Sequence, residues 1–243
     1  MALSIAVKDL SKSFGRTRAL DAVSVSIAAG RTHGFVGPNG SGKSTLIGIL
    51  TGLLRPDRGI IEIDGEAHAR LTANAARKLG IELVPQELAL VPTFKVWENI
   101  VLGDEPKGLR VSSAEGRLIA RKVLDDLGLD IGVDEDTFML DPGEQRLVMF
   151  ARTFHRKARM VIFDEPTAGL DPITAADIGR LIEKLRKERN TTSIVVTHDM
   201  HAAHHFSDRI VMLKEGNILI SGSFEDLEKS KDPFVSQFLS DAA

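Results

Sequence analysis

The stretch GPNGSGKST, residues 37–45, follows the short apolar run HGFV and precedes the helical pattern KSTLIGILTGLL. It has the G-x-x-x-x-G-K-[ST] spacing of a phosphate-binding loop, and its position between a strand and a helix is the expected context. The glycines let backbone N–H groups surround phosphate oxygens, and the helix N-terminus adds the positive end of its dipole. The predicted nucleotide-binding residues of this loop are Gly37, Pro38, Asn39, Gly40, Ser41, Gly42, Lys43, Ser44 and Thr45.

A second apolar strand, MVIFDEP at residues 160–166, ends in two adjacent carboxylates. Alone, such a pair is typical of a solvated loop, but the phosphate loop upstream favours a catalytic role. Lys43 would place a charge on the β- and γ-phosphates, and the Ser44 hydroxyl would coordinate Mg²⁺. Asp164, at the sheet edge, would hold the metal shell, while Glu165 points elsewhere and would polarise a water molecule. The sequence therefore predicts ATP and Mg²⁺ as ligands.

The composition limits the partners. The chain has 243 residues, a net charge of −3 and a pI near 6.2, so it shows no sign of binding nucleic acid. It has no cysteine, which excludes disulfides and thiolate metal sites and fits a reducing compartment. Its N-terminus does not resemble a signal peptide. The longest apolar stretch, residues 46–54, is far shorter than the roughly 18–20 residues of a membrane span. If the protein works at a membrane, another chain must cross it.

The patterning predicts an α/β fold in one domain, residues 1–243. Residues 1–30 alternate in hydrophobicity, which indicates an antiparallel β layer. Short apolar strands alternate with helical patterns elsewhere, as in a mainly parallel sheet. Between them, residues 87–152 are predominantly helical, and one predicted helix carries Leu118, Val123 and Leu127 on a single stripe. The predicted division is a core of residues 1–86 and 153–223, a helical insert of residues 87–152 and a short tail of residues 224–243.

Further motifs carry a resemblance that covers nearly the whole chain. They are FDEPTAGLD at 163–171, VVTHDM at 195–200 and LVPQE at 83–87, with Phe14 ahead of the phosphate loop. In this order and spacing they resemble the nucleotide-binding subunits of ABC transporters. The resemblance implies a RecA-like P-loop NTPase core, an antiparallel β layer and a helical ABC subdomain.

The resemblance also implies residue roles. Gln86 would contact the metal or the attacking water and relay the state of a membrane partner, and Glu165 would be the general base. His198 would contact the γ-phosphate, Phe14 would stack on adenine, and Asp171 would lie in the D-loop. The predicted catalytic set is therefore Lys43, Gln86, Glu165 and His198, and the predicted metal ligands are Ser44, Gln86 and Asp164.

Two of these roles have alternatives. Phe14 could instead be a core aromatic. His198 is followed by His201, His204 and His205, whose helical spacing could instead form a metal site. Trp97, in the insert, could line a partner groove or serve as a core anchor.

One motif departs from the family. Where the family has L-S-G-G-Q at the start of a helix, this chain has Leu140, Asp141, Pro142, Gly143 and Glu144. In the family, this helix N-terminus contacts the γ-phosphate of ATP bound to the other subunit of a sandwich dimer. Asp-Pro-x-Glu is a sound helix start, because Asp is a good N-cap, Pro is favoured at the first position and Glu can complete a capping box. Its carboxylate, however, occupies the positive helix end that a phosphate would use.

Three explanations of Asp141 remain open. Neighbouring N–H groups could make most of the contact, so that the carboxylate is tolerated. A different nucleotide-binding subunit could supply a competent signature. The signature could also be disabled. Two unit charges about 4 Å apart repel by roughly 4 kcal/mol at an effective dielectric near 20, so a weakened contact is expected.

The resemblance implies an ATP-hydrolysing subunit of an ABC transporter, peripheral on the cytoplasmic, inner face of the cell membrane. Its partners would be transmembrane permease subunits, a second nucleotide-binding subunit and a substrate-binding protein. Residues 84–106 resemble sugar-importer ATPases, whereas residues 195–239 resemble ATPases of phospholipid trafficking, and the balance favours an importer. The alternatives are an ATP-gated dimerising module with little turnover, or a soluble ABC ATPase of DNA repair or translation.

Overall fold

The computed structural model describes residues 2–103 and 112–240. Its strands are β1 (Ile5–Phe14), β2 (Thr17–Ile27), β3 (Thr32–Val36), β4 (Arg58–Ile63), β5 (Glu66–His68), β6 (Ile81–Val84), β7 (Met160–Asp164), β8 (Thr192–Thr197), β9 (Arg209–Lys214) and β10 (Asn217–Gly222). Its helices are α1 (Lys43–Leu50), α2 (Ala73–Leu79), α3 (Val96–Val101), α4 (Ser113–Leu127), α5 (Pro142–His155), α6 (Pro172–Arg189), α7 (Met200–Phe206), α8 (Phe224–Glu228) and α9 (Pro233–Ser240).

The predicted antiparallel layer is a sheet in the order β2-β1-β4-β5. The alternation of the sequence places one face of β1 and β2 inward, with Ile5 opposite Ile27 and Val7 opposite Val25. All four of these side chains are buried. The layer closes the first core cluster over α1, whose Leu46, Ile49 and Leu50 are among its members.

The second sheet carries the site. Its order is β10-β9-β3-β8-β7-β6, and β9, β3, β8, β7 and β6 run parallel. Strands β3, β7 and β8 are short and almost wholly buried, as the apolar runs predicted. Because β8 lies between β3 and β7, the residues that follow these three strands meet at one sheet edge, where ligands of α/β folds bind. The α/β prediction is confirmed.

Helices α3, α4 and α5 lie between β6 and β7 in the chain. They share a second core cluster with α6 and with one face of the parallel sheet. Trp97 packs against this cluster, and the Arg117 guanidinium lies 5.3 Å from its ring centroid. Residues 104–111 of the expected insert lie outside the described part of the chain, and α5 continues past residue 152 to His155. The division into core, insert and tail stays a prediction.

The predicted stripe on α4 is wrong in one member. Val123 and Leu127 are buried, but Leu118 is 73% exposed. A helix turns about 100° per residue, so the step from position 118 to 123 leaves the two side chains roughly 140° apart. Leu118 therefore faces away from the buried stripe.

The chain beyond β10 is packed rather than trailing. Leu227 of α8 and Val235 of α9 are fully buried in a third cluster with Met200 of α7 and Met212 of β9. Residues 241–243 of the expected tail are outside the described range. Among the helices described, none is both long and apolar enough to traverse a bilayer.

Candidate functional site

The phosphate loop is held between β2 and the β9–β10 hairpin. Gly37 has φ 148°, and a Cβ at this position would collide with the Leu213 carbonyl oxygen. Gly42 has φ 108°, and a Cβ there would lie 2.5 Å from the Ala19 carbonyl oxygen. The Gly216 N–H donates to the Ser41 carbonyl oxygen at 3.0 Å. Close backbone approach thus explains why these positions require glycine.

Lys43 is the first residue of α1, and its ammonium lies inside the loop. Its Nζ donates to the carbonyl oxygens of Gly37 at 2.6 Å and of Pro38 at 3.0 Å. Burial lowers the pKa of Lys43, while the negative charges of Glu165 and Asp164 oppose that shift. The cation therefore lies between the loop and the two carboxylates, where a phosphate group needs it.

A pocket of about 300 Å³ brings many of the predicted residues together, but Gly37, Pro38, Ser41 and His198 are not among its lining residues. Its lining includes Thr17, Ala19, Asn39, Gly40, Gly42, Lys43, Ser44, Thr45, Gln86, Asp164 and Glu165. The set offers hydroxyl, amide and carboxylate oxygens, which are the ligands that Mg²⁺ prefers alongside substrate phosphates. Thr17 and Ala19 of β2 were missed by sequence reasoning, since nothing local distinguishes them from other strand residues.

The two carboxylates differ in environment. Burial raises the pKa of Asp164, repulsion from Glu165 raises it further, and Lys43 opposes both effects. A metal ion beside Asp164 would favour its charged form. The Ser41 hydroxyl of the facing loop is buried and has no hydrogen-bond partner among the described residues. The donor set of the pocket fits a bound magnesium nucleotide.

Glu165 is buried and held by β8. One carboxylate oxygen accepts from the Thr197 hydroxyl at 3.0 Å, and the other accepts from the His198 N–H at 3.0 Å. The His198 Nδ1 atom also lies 2.9 Å from the second oxygen, and the His198 side chain is 64% exposed. Thr197 is a functional candidate that sequence reasoning missed, because it reads as the last residue of an apolar strand.

Phe14 lies at the end of β1, outside the lining of this pocket. Its side chain is 47% exposed, and the Lys12 ammonium is 5.4 Å from its ring centroid. Thr17, its partner across the hairpin, does line the pocket. The exposure argues against a core aromatic, and stacking on adenine stays a prediction.

The predicted signature begins α5 and does not line the pocket. Asp141 is the N-cap, and its Oδ1 accepts from the Glu144 N–H at 2.8 Å. Glu144 Oε2 accepts from the Asp141 N–H at 3.0 Å, which completes the predicted capping box. Pro142 has no N–H, and the Gln145 N–H donates to the Asp141 carbonyl oxygen. Gly143 supplies the remaining first-turn N–H, so this helix end has little left to offer an anion.

Asp171 caps α6 beside this helix start. Its carboxylate accepts from the N–H groups of Ile173 and Thr174 and from the Thr174 hydroxyl. Hydrogen bonds from Thr174 lower the pKa of Asp171. A Cβ added at Gly143 would lie 2.9 Å from Thr174 Cγ2, so the starts of α5 and α6 are in close contact.

The histidines after His198 were the alternative candidates for a metal site. The His204 ring stacks on Phe224 of α8, with centroids 3.7 Å apart. The His201 side chain lies outside what the structure describes. Within the described side chains, no group of three or more His, Cys, Asp or Glu residues is placed to hold a metal ion.

Comparison with known proteins gives consistent matches. Residues 20–168 match the family described as ABC transporter. The arabinose import ATP-binding protein AraG 2 of Burkholderia cenocepacia is 35% identical over 231 residues, which is 93% of this chain but 44% of that protein. The chain thus spans less than half the length of that relative.

Two further matches extend over most of both chains. The xylose/arabinose import ATP-binding protein XylG of Sulfolobus acidocaldarius is 34% identical over 222 residues, covering 90% of this chain and 88% of that one. The solved dimeric post-hydrolysis state of an ATP-binding cassette with ADP and Pi is 30% identical, with a TM-score of 0.79. That match covers 90% of this chain and 98% of the other.

Proposed function

This chain belongs to the ABC transporter family, and from that membership we propose that it binds and hydrolyses ATP to power transport by membrane-spanning partners. The observation that carries the proposal is the pocket at the phosphate loop, which gathers Lys43, Ser44, Gln86, Asp164 and Glu165. These residues come from three separate stretches of the chain. Their meeting at one sheet edge supplies a cation, metal-type oxygens and a base in a single site.

Binding of the nucleotide falls to the loop and to Lys43. The Lys43 ammonium, now satisfied by two loop carbonyl oxygens, would exchange them for β- and γ-phosphate oxygens. Ser44, Gln86 and Asp164 would hold Mg²⁺, which when bound neutralises charge on those phosphates. Phe14 would stack on the adenine from the exposed end of β1.

Hydrolysis requires a positioned water and a base. The carboxylate of Glu165 is oriented by Thr197 and His198, so it can accept a proton from water without first rearranging. Since His198 Nδ1 faces Glu165, the Nε2 atom is the one that would contact a γ-phosphate oxygen. Each predicted catalytic residue would thus have a separate task.

A complete site needs a second nucleotide-binding subunit, as in the dimeric relative. The α5 N-terminus of this chain would meet the γ-phosphate held by its partner, but the Asp141 carboxylate is fixed there by the capping box. Because Glu144 and Asp141 use most of the first-turn N–H groups, the explanation that N–H groups rescue the contact loses support. We therefore favour pairing with a different subunit, whose own signature completes the site built on Lys43 and Glu165.

The wider assignment follows the family. Partners would be transmembrane permease subunits and a substrate-binding protein, and the chain would lie peripherally on the cytoplasmic face of the membrane. The relatives named for import of arabinose and xylose support an importer over the other transport classes. The dimeric cassette holding ADP and Pi speaks against the alternative of a clamp without turnover.

This proposal is tested by measuring Mg²⁺-dependent phosphate release from ATP by the parent protein and by the Glu165→Gln variant. The parent should hydrolyse ATP, slowly if Asp141 weakens the trans contact, and the variant should lose at least about 100-fold while still binding ATP. If ATP binds to neither form, the proposal fails. Equal turnover by both forms would remove Glu165 from the role of base.

A further inference from the structure

The segment that follows β6 is tied to the helices at several points. The carbonyl oxygen of Pro85 accepts from Arg146 at 3.2 Å, and that of Ala89 accepts from Arg152 at 2.9 Å. Asn99, fully buried on α3, bonds both the N–H and the carbonyl oxygen of Val91. Gln86, next to Pro85, is exposed and lines the pocket. Gln86, the residue expected to contact the metal, therefore lies near one end of a segment, residues 85–91, that is anchored to the helices; we call this segment the strap.

Arg146 is an unusual anchor. It is 6% exposed, and no carboxylate pairs with it in the ion pairs of residues 2–103 and 112–240. Burial lowers the pKa of Arg146. Its Nε is buried without a partner among the described residues. Among the described residues this guanidinium donates to one carbonyl oxygen, so the cost of burying it is only partly compensated.

The hydrogen-bond acceptor of Arg146, the Pro85 carbonyl oxygen, suggests a role for the buried guanidinium. Proline has no N–H, so the carbonyl is the only backbone hydrogen-bonding group of Pro85, and it belongs to the peptide plane that Pro85 shares with Gln86. The parallel ladder to β7 ends at Val84, and beyond it no strand of the described residues pairs with this peptide. Arg146 holds its oxygen and thereby sets the direction in which Gln86 leaves the chain.

We infer that Arg146 is a positioning residue that holds Gln86 toward the metal through the Pro85 carbonyl. The inference rests on the proposed function, and it assigns Arg146 no contact with the nucleotide. Asp141 lies five residues earlier on the same helix, about 7.5 Å along its axis. A movement of the α5 N-terminus at the partner's phosphate would therefore also move Gln86 in this chain's own site.

The test measures ATP affinity with and without Mg²⁺ by calorimetry, in the Glu165→Gln background so that the ATP stays intact. Arg146→Met removes the donor and the buried charge at similar volume, a change that such sites tolerate. Arg146→Lys keeps a charged donor and serves as the rescue. Arg152→Met is the matched control. It also removes an arginine of α5 that donates to a carbonyl oxygen of the strap, that of Ala89. Each change is repeated in combination with Gln86→Ala.

Arg146→Met should reduce the Mg²⁺-dependent gain in ATP affinity by about tenfold, the scale of one lost charged hydrogen bond. Affinity without Mg²⁺ should stay within about twofold, Arg146→Lys should recover part of the gain, and Arg152→Met should change little. With Gln86→Ala present, Arg146→Met should have no further effect. Additive effects, or an equal loss in Arg152→Met, would overturn the inference. A parent whose ATP affinity ignores Mg²⁺ would also overturn it, while leaving ATP binding in place; failure to bind ATP at all would instead refute the proposed function.

Discussion

Glu165 adopts a left-handed backbone conformation, with φ 46°, directly after β7. For a residue with a Cβ this costs roughly 1 kcal/mol, and such conformations persist where the surroundings determine them. Here the Glu165 N–H donates to the Val196 carbonyl oxygen at 2.8 Å, and the carboxylate is bonded to β8. The turn thus directs Glu165 to β8 while Asp164 stays at the sheet edge.

Thr197 should be a positioning residue for this base. Thr197→Val removes the hydroxyl that donates to Glu165 and accepts from the Asp199 N–H, at nearly unchanged volume. We expect kcat for ATP hydrolysis to fall at least about tenfold, with a small change in KM, since a bond to a charged group is lost. Steady-state kinetics check this, with Thr197→Ser as the control that keeps the hydroxyl. Unchanged kcat in Thr197→Val would contradict the role, and an equal loss in Thr197→Ser would show that the hydroxyl alone does not carry it.

His33 makes stability depend on pH. It is 1% exposed, its Nε2 accepts from the Ala28 N–H, and burial lowers its pKa below the ordinary 6.5. Above pH 6.5 the histidine is neutral in both states. As the pH falls from 6.5 toward the lowered pKa of the folded state, the unfolded state gains the proton first, so stability is lost.

Urea unfolding of the parent and of His33→Gln at pH 7.5 and pH 5.5 isolates this contribution. We expect the difference in unfolding free energy between the two proteins to shrink at the lower pH, by at most 1.36 kcal/mol per unit. A difference that does not change with pH would contradict burial of a neutral imidazole at this position.

At the scale of elements, the starts of α5 and α6 are packed together. Gly143 and Thr174 leave no room for another methyl group, and Asp141 and Asp171 each cap their helix beside this contact. These helix starts carry the predicted signature and Asp171, the residue predicted to lie in the D-loop. Their close contact couples the packing of the two helix starts.

Gly143→Ala should therefore destabilise the fold by about 1–2 kcal/mol, despite the better helix propensity of alanine. Thr174→Ser removes the Cγ2 that the new methyl group would meet, so the double variant should recover most of the loss. Chemical denaturation of the parent, the two single variants and the double variant gives the free energies of unfolding for a double-mutant cycle. If the two effects simply add, the predicted close contact does not govern stability.

Local patterns predicted the elements well, because a strand, a glycine loop and a helix start are specified by neighbouring residues. The phosphate loop, β7 with its carboxylates and the Asp141 capping box follow this rule. The stripe on α4 failed at Leu118, where an apolar residue sits at the wrong helical angle. Thr197 and Arg146 were not predictable, since their roles depend on contacts with Glu165 and Pro85 from distant parts of the chain.

At the scale of the whole molecule, the proposed function would have each chain contribute to two sites. The pocket at the phosphate loop would supply the reactive groups for one nucleotide, while the α5 N-terminus would meet the nucleotide of a partner. In this protein the first contribution is complete in residue types, and the second carries a fixed carboxylate. The pairing of unlike subunits would separate a competent site from a weakened one.

Phosphate release by the parent, by Asp141→Ser and by Asp141→Ser combined with Glu165→Gln tests this account most directly. Serine keeps the N-cap but removes the charge, so we expect it to raise turnover at least about tenfold, and Glu165→Gln to abolish the gain. That result would show sound chemistry in cis and a weakened contact in trans. If the parent already hydrolyses ATP cooperatively and serine adds nothing, the chain is a self-sufficient homodimer and the account of Asp141 is contradicted.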